Sequence, residues 1–153
     1  MPSLTQQAHS AVRLVVHAGE TVIDATAGNG HDTRFLAELV GSTGHVYSFD
    51  VQQQALLQTE RGLPQELRSV VTLLLHDHAR IDELLPAGDR GRIAAVMFNL
   101  GYLPGSDHQL VTQSSSTLRA LTIAWDWLRP GGILSVIAYP GHPGGLEETL
   151  AVC

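Results

Sequence analysis

Four short apolar runs in this 153-residue chain each run into a polar side chain: Asp24, Asp50, Asp77 and Asn99. The separations of 26, 27 and 22 residues each match one strand-plus-helix unit. Right-handed parallel connections bring all the carboxyl ends of such strands to one edge of a sheet, where open α/β sheets bind their ligands. Taken singly, each Asp reads first as a helix cap or a turn residue. Four polar residues in register point instead to one shared crevice.

The segment Asp24-Ala25-Thr26-Ala27-Gly28-Asn29-Gly30-His31-Asp32-Thr33 follows the first run. Gly28 and Gly30 permit a tight turn and close approach of a ligand to the backbone. A bare Gly-x-Gly also fits a plain strand-to-helix turn. Two ligand classes use such a loop, a dinucleotide through its pyrophosphate and S-adenosylmethionine through a sulfonium and an ammonium. Asp24 separates them, because a carboxylate just before the glycines repels pyrophosphate and attracts the cations. Thr33 also stands where the dinucleotide fingerprint has its third glycine. The expected cofactor is therefore S-adenosylmethionine. Its expected contacts are Asp24, Thr26, Gly28, Asn29, Gly30, Asp32 and Thr33, with Asp50 for the ribose hydroxyls and Asp77 and His78 for the adenine. His76 and His78, two apart, also fit a metal pair, but no third ligand is evident and no metal is expected.

The fourth run leads into Asn99-Leu100-Gly101-Tyr102-Leu103-Pro104-Gly105. A side-chain amide followed by an aromatic suits an amine substrate. The amide oxygen of Asn99 accepts from the amine, and the ring of Tyr102 covers a planar base. Asn99 and Tyr102 are the expected catalytic residues, and Asn99 also faces the cofactor. A Pro-Gly turn with a core tyrosine is the plain alternative. Asp107 and His108 lie in the loop that follows. The last apolar run ends in Tyr139-Pro140-Gly141-His142-Pro143-Gly144-Gly145 on the same edge. Asp107, His108, Tyr139 and His142 join Tyr102 as substrate contacts, with His142 a proton carrier, a phosphate contact or a solvated histidine.

These residues need strands and helices to carry them. Thr21 to Ala25, His45 to Phe49, Val70 to Leu75, Ile93 to Phe98 and Ile133 to Ala138 read as strands buried on both faces. Phe35, Leu36, Leu39 and Val40 form one helical stripe, and Leu118, Leu121, Trp125 and Leu128 another. An amphipathic stretch from about Ala8 to His17 precedes the first strand. Hydroxyls at Ser114 to Thr117 cap the last helix, and Leu128 to Gly132 stop it. Strands alternating with helices predict an open, mostly parallel α/β sheet, and 153 residues make one domain.

Nine basic residues, all arginine, stand against fifteen acidic ones, for a net charge of −6. That excludes a broad basic face for nucleic acid, so any polyanion is met by a local arginine cluster. A lone cysteine at Cys153, no signal peptide and apolar runs too short for a bilayer predict a cytosolic protein with no membrane partner.

Together the segments Asp24 to Thr33, Asn99 to Gly105 and Tyr139 to Gly145 resemble the small bacterial rRNA methylase family. These are Rossmann-like class I S-adenosylmethionine-dependent methyltransferases, and the resemblance covers nearly the whole chain. Thr26 replaces a glycine common in the wider superfamily, a departure that this family shares. The resemblance implies an RNA substrate, specifically tRNA. The reaction it implies is N-methylation of the aminomethyl group of the wobble uridine to give 5-methylaminomethyl-2-thiouridine. It also implies that Asp24, Gly28, Gly30, Asp50, Asp77 and Asn99 line the cofactor pocket. The superfamily sheet continues with a strand hairpin after the fifth strand, and only Leu146 to Cys153 follow here. The chain is thus expected either to be truncated or to lack that hairpin. An exposed fifth strand then favours a homodimer. A small-molecule methyltransferase, favoured by the acidic charge, and an inactive cofactor-binding remnant are the alternatives.

Overall fold

Ser3 opens the first helix, α1 (Leu4–Arg13), with a reciprocal cap. Its Oγ accepts from Gln6 N–H at 3.1 Å while its own N–H donates to Gln6 Oε1 at 2.7 Å. The helix therefore lies about one turn earlier than the amphipathic pattern at Ala8 to His17 placed it. That pattern tracked the buried Val12 and Val16, and Val16 lies beyond the helix end.

The computed structural model describes residues 1–101 and 114–138. Five strands, β1 (Thr21–Asp24), β2 (His45–Asp50), β3 (Val71–Leu75), β4 (Ile93–Leu100) and β5 (Leu128–Ala138), form one sheet in the order β3-β2-β1-β4-β5. Every neighbouring pair is parallel. The expected α/β architecture is thus present. Between the strands run α2 (His31–Val40), α3 (Gln53–Gly62), the short α4 (Ile81–Leu84) and α5 (Ser114–Trp127). No helix among the described residues is long and apolar enough to cross a membrane.

Alternation along the central strands sends successive side chains to opposite layers. Val22, Val46, Ala95 and Met97 pack with Val12 of α1 and with Leu36 and Val40 of α2. Ile23, Phe49, Val96 and Phe98 pack with Ile81 of α4 and with Ala120, Ala124 and Trp127 of α5. Two-sided burial holds for β1 and β4 but not for β3 and β5, which are half-exposed outer strands of the described sheet.

Two sequence expectations change at the last helix. The stripe Leu118, Leu121, Trp125 and Leu128 meets the sheet only in part: Leu121 and Leu128 pack against the core, but Trp125 is 69% exposed and Leu118 is 43% exposed. The buried row is Thr117, Ala120, Ala124 and Trp127, the same spacing rotated by one residue. Alanines let the helix lie close on the sheet, and a single indole fills the remaining space. Leu128 to Gly132 is also no simple stop, because β5 already begins at Leu128. Ile93 faces Leu128 and Ala95 faces Ile133, so the intervening residues bulge out of register. Gly131 sits at φ +77 in that bulge.

Replacing Trp127 with Ala should lower unfolding stability by about 3–5 kcal/mol, the usual cost of deleting a buried aromatic. Trp125→Ala should stay within about 0.5 kcal/mol of the parent. Urea unfolding of both variants checks this, and the opposite ranking would restore the original stripe.

Candidate active site

At the carboxyl edge of the sheet, three aspartates repeat one local device. Thr26 N–H donates to Asp24 Oδ1 at 3.1 Å, Gln52 N–H to Asp50 Oδ1 at 2.9 Å, and Ala79 N–H to Asp77 Oδ1 at 2.8 Å. Each carboxylate thus turns the chain at its strand end by binding the N–H two residues on. The turn reading is therefore met at all three, and the sheet order places them along one edge.

What the other carboxylate oxygen does distinguishes the three. Asp24 Oδ2 accepts from the Thr33 hydroxyl at 2.6 Å, and Ser48 lies 2.7 Å from that hydroxyl. Asp24 and Thr33 are fully buried, so they lie beneath the loop and shape it from below. Asp50 Oδ2 accepts from Gly28 N–H at 2.9 Å, which folds the glycine turn over the end of β2. Asp77 binds the Ser116 hydroxyl through both oxygens, at 2.7 and 2.8 Å. Ser116, expected as a helix cap, instead ties α5 to the end of β3.

The glycines do what the turn requires. Gly28 is at φ +56 and Gly30 at φ +88. A Cβ on Gly30 would lie 2.8 Å from Thr59 Cα, so α3 passes too close for any side chain there. Asn29 is exposed at the tip between them. The Thr26 hydroxyl accepts the backbone N–H of Asn99 at 2.6 Å, so the residue in place of a glycine links the loop to β4.

Asn99 and Asp32 form the other half of the site. Asn99 Nδ2 donates to Asp32 Oδ2 at 2.5 Å. The other Asp32 oxygen is 2.6 Å from Nε2 of His9, on α1. Asn99 Oδ1 is buried and has no hydrogen-bond partner among the described residues. His9 escaped the sequence reading, and the available signal was a polar residue one turn before Val12 on the apolar face of α1.

His78 is buried, and its Nδ1 donates to the Ala25 carbonyl at 2.9 Å, its ring tilted against Phe98. Burial holds this histidine below its usual pKa, against the raising effects of the Ala25 bond, Asp77 and Asp50. It braces the end of β3 against the first loop. The Nδ1 of His76 is 3.0 Å from Arg80. Among the described residues no group of three His, Cys, Asp or Glu side chains is placed to hold a metal. Tyr102, Asp107, His108, Tyr139 and His142 lie outside the described residues.

The electrostatics follow from four acids near one edge. Burial first, then the charge of Asp32, pushes the Asp24 carboxyl up to about 7, with Asp50 adding to the rise and the Thr33 and Thr26 donors opposing it. Partial burial also pushes Asp77 up, but the Ala79 and Ser116 donors, His78 and Arg119 together outweigh it and hold Asp77 below its usual value. An edge this acidic suits a cationic ligand and one rich in hydroxyl donors, and repels pyrophosphate.

A group whose pKa is higher in the folded chain contributes stability below its unfolded value of about 3.9 and loses it as pH rises through the folded value. For Asp24 that window runs from about pH 4 to 7. In urea unfolding between pH 5 and 7, Asp24→Asn should remove a fall in stability on the order of 1 kcal/mol per pH unit seen in the parent. Equal slopes would mean that Asp24 stays ionised throughout.

The profile of the family described as "Putative rRNA methylase" matches residues 46–153. An Arabidopsis thaliana protein named tRNA (mnm5s2U34)-methyltransferase, chloroplastic, is 41% identical over 94% of this chain, which spans 55% of that protein's length. A crystal structure titled putative rRNA-methylase, from Clostridium thermocellum, superposes with a TM-score of 0.92 at 40% identity, over 99% of this chain and 80% of that one. A putative methyltransferase from Streptococcus mutans, solved in complex with SAH, gives a TM-score of 0.86 at 36% identity, again over 99% and 80%. The profile covers the strands that carry Asp50, Asp77 and Asn99, and the solved relatives extend the likeness to the glycine loop, so the chain belongs to the putative rRNA methylase family.

Proposed function

We propose that this chain is an S-adenosylmethionine-dependent methyltransferase that methylates the aminomethyl nitrogen of the tRNA wobble uridine. The buried Oδ1 of Asn99, unpartnered among the described residues, carries the reading. The Asp32 oxygen only accepts, so the Asn99 NH2 faces it and the amide oxygen faces away. An amine N–H is the partner such an acceptor lacks. The name of the Arabidopsis relative supports the same nitrogen on the same base.

The residues fit the cofactor. The acidic edge matches its cationic centres, Asp50 beneath the glycine turn offers acceptors for ribose hydroxyls, and Asp77 offers acceptors to the adenine amine. Asp24 acts from beneath the loop through Thr26 and Thr33. When bound, S-adenosylmethionine supplies a methyl group on a cationic sulfur, and the acceptor nitrogen must then be a neutral amine. Asn99 Oδ1 accepts one N–H of that amine and so aims its lone pair. The alkylated nitrogen becomes an ammonium and loses its proton to water. No described side chain is needed as a base, and most of the rate comes from positioning.

In calorimetry, S-adenosylmethionine and SAH should bind and NAD should not; equal or tighter NAD binding would overturn the cofactor assignment. Asp50→Ala should weaken SAH by roughly 1–3 kcal/mol, because it strands buried donors and releases the glycine turn. Asn99→Ala should slow single-turnover methyl transfer to precursor tRNA about a hundredfold with little change in SAH affinity. A variant that turns over like the parent would leave Asn99 as a turn residue only.

A further inference from the structure

We infer that His9, on the helix that precedes the sheet, is a positioning residue for this reaction, acting through Asp32 to set the amide of Asn99. The inference rests on the reading of Asn99 above and extends it to a part of the chain outside the strand-end motifs.

The ring of His9 stacks on Phe35 at 3.8 Å between centroids and 3° between planes, and the guanidinium of Arg13 lies 5.1 Å from the centroid of the Phe35 ring. The stack holds the imidazole so that Nε2 meets Asp32 Oδ1 at 2.6 Å. A carboxylate oxygen accepts, so Nε2 carries the hydrogen. Asp32 is only 4% exposed, so water cannot readily replace that donor. With one oxygen anchored by His9, the second is aimed at Asn99 Nδ2, 2.5 Å away. Turning the Asn99 amide over would press oxygen against oxygen. His9 thus decides which way the carboxylate is rotated, the carboxylate decides which way the amide faces, and the amide oxygen, without a partner among the described residues, is left toward the reacting nitrogen.

Without the His9 donor the Asp32 carboxylate is free to rotate, and the amide loses its single orientation. Small misplacements at a reacting centre are costly in rate, and supporting residues of this kind typically matter by about tenfold to a hundredfold. The Asn99 amide oxygen is directed at the reacting nitrogen, so the expected effect falls on rate more than on cofactor affinity.

His9→Phe is the discriminating variant, because it keeps the ring stacked on Phe35 and removes only the N–H. Three quantities are compared with the parent: the single-turnover rate on precursor tRNA, SAH affinity by calorimetry, and the side-chain amide resonances of Asn99 by NMR in the SAH-loaded protein. The expected result is a rate loss of about tenfold or more, SAH affinity within about threefold, and a moved Asn99 NH2 signal. A parent-like rate would overturn the inference, as would a rate loss matched by an equal loss of SAH affinity. If the parent itself transfers no methyl group to this RNA, the substrate reading has failed. The relay then stands or falls on the NMR signal alone, moved in His9→Phe if it exists and unmoved if it does not.

Discussion

A buried carboxylate holds this site together. Asp24 has no exposed surface, yet it binds the Thr26 N–H and the Thr33 hydroxyl. Thr33 in turn meets Ser48 of β2, and Thr26 meets the backbone of Asn99 on β4. One group thereby fastens the glycine turn to the start of α2 and to the ends of three adjacent strands. The cost is a carboxyl held near neutrality, among other acids, in a place that water does not reach. A hydrophobic residue at position 24 would remove that cost and leave the turn with no acceptor.

The parallel sheet turns this local device into a site. Its strand order puts β1 between β2 and β4, so Asp24, Asp50 and Asn99 stand side by side. Asp50 closes the glycine turn from one side while Asn99 and Asp32 close it from the other. The helix α1 then reaches this edge through His9. Away from the site, several arginines are already engaged by acids: Arg34 by Glu38, Arg80 by Glu83, and Arg129 by Glu20. An acidic chain with arginines engaged in this way lacks the broad basic face that grips a long duplex.

Strand positions and strand-end residues were legible in the sequence because period and register leave a direct mark there. Near-continuous apolar runs located all five strands, and polar residues at regular spacing marked the shared edge. The helix faces were less legible. Trp125 and Trp127 differ by two positions, and only packing against the sheet decides which is buried, because it favours the alanine row over the leucine row. The bulge at Gly131 looked like a stop because Pro and Gly mark both. His9 was not legible as part of the site, since its partner lies 23 residues away and only the packing of α1 on α2 brings them together. The sequence also left open whether the strand-end aspartates served turns or ligands, because a carboxylate has two oxygens and does not have to choose.

The most direct test of the account is to incubate the protein with methyl-labelled S-adenosylmethionine and RNA from cells lacking its gene, then digest the RNA to nucleosides for mass spectrometry. The account predicts label on a single nucleoside, 5-aminomethyl-2-thiouridine from tRNA, converted to its N-methyl form. Label on a ribosomal RNA nucleoside, or on no RNA while a small amine is methylated, would contradict it.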